Sequence, residues 1–188
     1  GLKLMSTLKE TWPNPPKPTH DSFKQFLRSR YVSQTTTLAD LLMEPTTYAD
    51  GWAKFGWKAH NANLLETETA AGDWRGFPSV WTEAYHGTKL ECLFSTMVHG
   101  RLSEAFVSGR RIKDGKPGVY MMSAKNKDKA LNYARFVCLN NDGVWLRLVW
   151  QVCTNRTDSV KSGNDQWIGR ERSTSLVALC VHVVPSVV

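Results

Sequence analysis

The segment from Leu176 to Val184 constrains the fold more than any other, because apolar residues occupy both of its faces. A strand with two apolar faces must be covered on both sides, so this segment is predicted to be a central strand of a sheet. The stretch from Val144 to Cys153 instead alternates apolar and polar residues, which is typical of a strand with one buried face. The C-terminal part of the chain therefore predicts a sheet around which the rest is built.

A strand followed by a helix is predicted before this sheet. Thr82 to Tyr85 reads as a short strand that ends at a His86-Gly87-Thr88 corner. The apolar residues that follow recur with helical spacing: Leu90, Leu93, Phe94 and Met97. Gly100 is placed to end that helix in a left-handed conformation.

A second strand and helix follow a polar, basic loop that runs from Arg110 to Lys116. Val119 to Met122 is predicted to be a short strand, and Ser123 could cap the next helix. The predicted buried stripe of that helix consists of Ala130, Tyr133, Ala134 and Val137.

The order strand, helix, strand, helix and then several strands favours a mixed α+β domain over a doubly wound parallel sheet. We expect two small packed sheets with flanking helices over residues 81–188. Residues 1–20 are a proline-rich lead-in, and residues 21–80 are predicted to be a helical, aromatic-rich N-terminal extension. In that extension Asp21 or Ser22 could cap a helix that carries Phe23, Phe26, Leu27 and Tyr31. Leu38, Leu41 and Leu42 suggest a second helix, which Pro45 would end.

Charge and composition narrow the classes of function. The net charge is +7 over 188 residues, which favours anionic partners such as nucleic acid, a nucleotide or an acidic surface. The four cysteines are far apart and the five histidines are dispersed, so no metal site is expected. We expect no membrane partner and an intracellular protein, cytoplasmic or nuclear, because no apolar run of about 18 residues and no signal-peptide pattern occurs.

Several familiar catalytic motifs are absent from the sequence. There is no Gly-x-Ser-x-Gly nucleophile elbow, no phosphate-binding Gly-Lys-Ser/Thr loop, no Rossmann glycine fingerprint and no His-Glu-x-x-His pair. What remains is an ordered set of short motifs: His86-Gly87-Thr88, then Gly118-Val119-Tyr120, then Ala130 to Ala134 and finally Gln166-Trp167-Ile168.

This ordered set resembles the ADP-ribosyltransferase superfamily, specifically its diphtheria-toxin and poly(ADP-ribose)-polymerase-like branch. That branch carries a His-Gly-Thr motif, a Gly-Ile/Val-Tyr strand, a Tyr-Ala or similar pair on the next helix, and a late strand that usually begins at Glu. The resemblance covers roughly residues 81–188 through the order of the motifs.

The resemblance implies an NAD site and assigns its residues. His86 would hydrogen-bond the adenosine ribose, and the backbone of Gly87 would reach the carboxamide of nicotinamide, with Thr88 beside it. Tyr120 and Tyr133 would enclose the nicotinamide ring by offset stacking. By this resemblance His86, Tyr120 and Gln166 form the catalytic set.

The sequence departs from the family at two positions. Gln166 stands where active polymerases have Glu, and an amide hydrogen-bonds a ribose hydroxyl without bringing negative charge. Glu171 could supply a carboxylate if the register is shifted. Ala130 stands where the family often has a Ser that bonds the carboxamide.

The resemblance therefore implies an enzyme that transfers one ADP-ribose from NAD to a protein or nucleic-acid acceptor and releases nicotinamide. Two alternatives stay open: an NAD-dependent RNA 2'-phosphotransferase, and a catalytically degenerate RNA-binding or protein-binding module of the same fold. The acceptor and the oligomeric state are not specified by the sequence.

Overall fold

The structure, a computed structural model, describes residues 23–25, 27, 41–45, 51–58, 80–104, 118–138, 144–163 and 165–185. The strands are β1 (Leu42–Pro45), β2 (Trp52–Trp57), β3 (Trp81–Thr88), β4 (Val119–Ser123), β5 (Val137–Cys138), β6 (Val144–Asn155), β7 (Val160–Ser162), β8 (Gln166–Gly169) and β9 (Thr174–Pro185). Among the described residues, helix α1 covers Leu90–His99 and helix α2 covers Lys127–Ala130, and short 3₁₀ turns cover Ala124–Asn126, Leu131–Tyr133 and Glu171–Ser173.

The described strands form one sheet in the order β1-β2-β9-β6-β3-β4-β8-β7, with β5 paired to β6. Every described pair is antiparallel. The protein is therefore a mixed α+β fold with few helices. The expected division into two separate sheets is not seen among the described strands, because β3 pairs with β6 on one side and with β4 on the other.

The two strands that the sequence marks most clearly form the centre of this sheet. β9 lies between β2 and β6, which confirms the prediction of a central strand. Leu148, Trp150 and Val152 of β6 are each at most 1% exposed and share one core, as the alternation predicts. The long β6–β9 pair forms the centre of the sheet, and the shorter strands β2 and β3 pair with its two outer edges.

Helix α1 covers one face of the sheet. Leu93 and Met97 are buried in the main core, whereas Phe94 is 44% exposed, so the predicted stripe is correct for Leu93 and Met97 and wrong for Phe94. The helix ends at Gly100, whose φ of 64° is the predicted left-handed cap.

The opposite face carries a smaller apolar cluster, which lies under α2 and the turn after it. Its members are Met122, Ala130, Ala134, Val149 and Cys180. The sheet is thus covered on both faces, which explains why β9 is apolar on both sides.

The predicted helix around Leu38, Leu41 and Leu42 is wrong from Leu42 onward. Leu42 begins β1 and pairs with Trp57 of β2, and β2 in turn pairs with β9. Burial of Leu42 in the main core outweighs its local helical spacing. Part of the predicted N-terminal extension is therefore built into the central sheet.

The predicted helix after Ser123 is broken into three short segments. The chain leaves helical geometry at Ala134, with φ −87° and ψ 130°, before it enters β5. Ser123 makes no side-chain capping bond; its backbone N–H instead donates to the carbonyl of Asp165 at 2.8 Å. The predicted stripe is buried at Ala130 and Ala134 but not at Tyr133, which is 58% exposed.

The proline-rich lead-in, Phe26, Tyr31 and the basic loop from Arg110 to Lys116 lie outside the described residues. Within the described residues, no helix is long and apolar enough to cross a bilayer.

Candidate functional site

The candidate site begins where β3 and β4 separate. The two strands pair only at Ala84 with Ser123 and at Tyr85 with Met122. Beyond Tyr85, strand β3 remains paired with β6 at His86 and at the next two residues, Gly87 and Thr88. The prediction that His86-Gly87-Thr88 forms a corner is therefore wrong, because all three residues belong to strand β3. The gap between β3 and β4 beside them forms a cleft.

One cleft brings together most of the residues that the sequence singled out. It is lined by Tyr85, His86, Gly87, Tyr120, Met122, Tyr133 and Gln166. These residues come from β3, β4, β8 and the turn after α2, which are distant in the chain. Five of them, all except Tyr85 and Met122, were proposed from the sequence to bind NAD or to act on it.

The ring of His86 bridges the gap between the two strands. Its Nδ1 lies 2.8 Å from the backbone carbonyl oxygen of Tyr120. A carbonyl can only accept, so Nδ1 carries the hydrogen and Nε2 of the neutral ring is left as an acceptor. Burial lowers the pKa of His86, and the bond to the carbonyl of Tyr120 opposes part of that effect. The neutral ring can thus accept a hydrogen bond from a ligand hydroxyl.

Gly87 is required by close packing against the helical segment. A Cβ at this position would lie 2.0 Å from the carbonyl oxygen of Ala130 and 3.0 Å from the amide nitrogen of Ala134. Neither contact can be relieved by a side-chain rotation, because both involve backbone atoms. The absence of a side chain at Gly87 lets the segment after α2 sit directly over β3 and form one wall of the cleft.

Strands β4 and β8 supply the opposite wall. Tyr120 and Met122 are two residues apart and so face the same side of the sheet. Gln166 pairs directly with Met122, which places its amide on that side too. Tyr120 and Gln166 therefore both border the cleft, on adjacent strands.

Tyr133 lies at the mouth of the cleft. Its side chain is 58% exposed, so it is not a core residue, although its spacing from Ala130 and Ala134 suggested that it could be one. A large exposed ring over a cleft can be covered by a planar ligand.

Two other residues proposed for the site lie elsewhere. Thr88 is buried, with its hydroxyl 3.4 Å from the carbonyl oxygen of Lys89, and it does not line the cleft. Glu171 accepts from the backbone N–H of Glu104 at 3.2 Å and pairs with Arg101 at 3.5 Å. The carboxylate of Glu171 is therefore committed to a different surface.

The structure adds residues that the sequence reasoning did not consider. Tyr85 lines the cleft, and its hydroxyl donates to Glu83 at 2.6 Å. Asp165 accepts from the side-chain amide of Asn126 at 2.6 Å and pairs with Lys129, which fixes the start of β8 to the segment after β4. In the sequence, only the position of Asp165 next to Gln166 indicated that Asp165 could lie near the site.

The described residues contain no group of three or more His, Cys, Asp or Glu side chains arranged to hold a metal ion. Comparison of the sequence with protein-family models and with curated proteins found no match.

Proposed function

We propose that the protein is an NAD-dependent mono-ADP-ribosyltransferase. The supporting observation is that His86, Gly87, Tyr120, Tyr133 and Gln166, which resemble the motif residues of that superfamily, border a single cleft.

The two ends of the proposed NAD site require different chemistry. Nε2 of His86 accepts a hydrogen bond from a hydroxyl of the adenosine ribose, because Nδ1 already donates to Tyr120. The nicotinamide ring lies between Tyr120 and Tyr133, with its carboxamide toward the backbone of Gly87. Each ring stack contributes about 0.5–1.5 kcal/mol beyond the area that it buries.

Ala130 weakens the carboxamide end of this site. It is fully buried and has no hydroxyl, so the bond that a serine often makes in the family is missing. We therefore expect the two tyrosines and Gly87 to provide most of the nicotinamide affinity.

Gln166 limits what the site can do after NAD binds. The reaction breaks the bond between nicotinamide and its ribose, nicotinamide leaves as a neutral molecule, and the ribose carbon bonds to an acceptor that gives up a proton. The amide oxygen of Gln166 hydrogen-bonds a ribose hydroxyl and offers only a partial negative charge to the developing cation. Transfer of a single ADP-ribose is compatible with that weaker stabilisation, whereas chain elongation is not expected.

The proposal is tested by incubating the protein with labelled NAD and measuring nicotinamide release and label transfer to protein and to RNA or DNA. Wild type is compared with His86→Ala and Gln166→Ala. Release that His86→Ala abolishes supports the proposal. Absence of both release and transfer by wild type contradicts it, and if NAD still binds, a degenerate binding module is the better description.

A further inference from the structure

A second cavity lies beside the NAD cleft on the same face of the sheet. It is bordered by Trp52, Lys54, Tyr85, Lys127, Gln151 and Cys180. Tyr85 borders both cavities, so the two lie next to each other. The second cavity has a volume of about 110 Å³, against about 60 Å³ for the cleft.

Two lysines give this cavity its charge. Among the described residues, neither Lys54 nor Lys127 forms an ion pair. The Nζ of Lys127 lies 5.7 Å from the centre of the Trp52 ring, a distance at which the cation is attracted to the ring face. This attraction holds the ammonium group at the edge of the cavity without neutralising its charge.

Among the described residues, Glu83 bonds to two side chains that border the cavity. Glu83 accepts hydrogen bonds from the hydroxyl of Tyr85 and from Nε2 of Gln151. These two donors stabilise its charge in place, so it does not pair with Lys54 or Lys127. With two lysines and one hydrogen-bonded carboxylate, the net charge of these described groups is positive.

Gln151 indicates a second property that a ligand of this cavity should have, a hydrogen-bond donor. Its side chain is 3% exposed, and its Oε1 has no hydrogen-bond donor among the described residues. A buried acceptor without a donor is energetically unfavourable. A ligand that carries a hydroxyl or amino group next to its negative charge would satisfy both Gln151 and the lysines.

We propose that this second cavity binds a phosphate of a nucleic-acid acceptor. The role of the nucleic acid as acceptor rests on the proposed function. The phosphate site itself depends on the lysines and Gln151 and does not require NAD. A nucleotide unit supplies both phosphate oxygens for Lys54 and Lys127 and a hydroxyl or base amino group for Gln151. Bound there, the acceptor would lie beside the cleft, next to Tyr85.

The test measures binding of a short fluorescein-labelled single-stranded RNA by fluorescence anisotropy over a range of salt concentrations. The variants are K54Q/K127Q, the charge-preserving K54R/K127R and the control Lys125→Gln. Lys125 is exposed, two residues from Lys127, and borders neither cavity. NAD binding is measured on the same proteins by calorimetry.

K54Q/K127Q should bind the RNA at least about tenfold more weakly, and the magnitude of the slope of log K against log salt should fall by about 0.7, the contribution of one phosphate contact on a single strand. K54R/K127R and Lys125→Gln should bind like wild type, and NAD affinity should be unchanged in all variants. Retained binding by K54R/K127R shows that the site still folds.

Equal RNA affinity in wild type and K54Q/K127Q would overturn the inference. Loss of NAD affinity without loss of RNA affinity would overturn it too, because the phosphate would then be that of NAD. So would wild-type protein that binds no RNA but transfers ADP-ribose to a protein. If RNA binding depends on the two lysines but wild type binds no NAD, the phosphate site stands and the proposed function falls.

Discussion

Nδ1 of His86 donates a hydrogen bond to the backbone carbonyl of Tyr120 across 2.8 Å. That bond joins β3 to β4 just beyond the last pair of the two strands, between Tyr85 and Met122. One side chain therefore both ties the separated strands together and borders the cleft.

Replacing His86 should weaken NAD binding by about tenfold or more. His86→Ala removes the acceptor at Nε2 and the tie to Tyr120, and loss of about 1.4 kcal/mol corresponds to a tenfold change. Calorimetric titration with NAD measures the effect. His99→Ala is the matched control, because His99 lies on the exposed side of α1 and, in the described part of the chain, its ring bonds to Ser95 of the same helix. Equal affinity in the two variants would remove His86 from the site.

Gly87→Ala should destabilise the fold strongly. The new Cβ would lie 2.0 Å from the carbonyl oxygen of Ala130, and overpacking against atoms that cannot rotate away is expected to lower the free energy of unfolding by about 3 kcal/mol. Urea unfolding measures the change.

Gly163→Ala serves as the comparison for Gly87→Ala. Its φ is 64° and, apart from its chain neighbours, no atom of the described residues lies within 4 Å of the added Cβ, so it isolates the backbone strain of about 1–2 kcal/mol. If Gly163→Ala were as destabilising as Gly87→Ala, the close approach of Ala130 would not explain the glycine.

Gln166→Glu should increase the rate of nicotinamide release by at least about tenfold. The substitution places a full negative charge where the amide now lies, and one well-placed electrostatic contact is worth about 10²–10³ in rate. The assay compares initial rates at saturating NAD.

Asn132→Asp adds the same charge at an exposed position that does not border the cleft, and it should leave the rate of nicotinamide release unchanged. A Gln166→Glu rate at or below the wild-type rate would mean that Gln166 is not in the position of the family glutamate.

The stability of the protein should fall more steeply in acid than that of His86→Asn. Burial lowers the pKa of His86 below its usual value of about 6.5, so near pH 6 the unfolded chain binds more protons than the folded one. Stability contributed by the neutral ring is therefore present above about pH 6.5 and decreases as the pH falls below it. Unfolding free energies of both proteins between about pH 8 and 5 test this, and parallel curves would contradict it.

Much of the sheet could be predicted because its strands have distinct patterns. The apolar run of β9 and the alternation in β6 depend on burial alone, so they indicate the strands without any knowledge of neighbours. Gly100 was predictable for a similar reason, since the end of a helix favours a left-handed glycine.

The failures arise where long-range contacts override local spacing. Leu42 has helical neighbours in the sequence but pairs with Trp57 in the sheet. His86 and Gly87 were predicted to form a corner just beyond the strand, yet β3 pairs with β6 as far as Thr88 and holds them as strand. The order of the motifs indicated which residues meet, whereas the gap that makes the cleft depends on the short pairing of β3 with β4, which no local pattern encodes.

The most direct test of the account is a calorimetric titration of wild type and Tyr133→Ala with NAD. The side chain of Tyr133 is 58% exposed, so its removal should leave the free energy of unfolding nearly unchanged while it deletes one wall of the nicotinamide site. The account predicts saturable binding of one NAD by wild type and about tenfold weaker binding by Tyr133→Ala. No binding by wild type, or equal affinity in the two proteins, would contradict it.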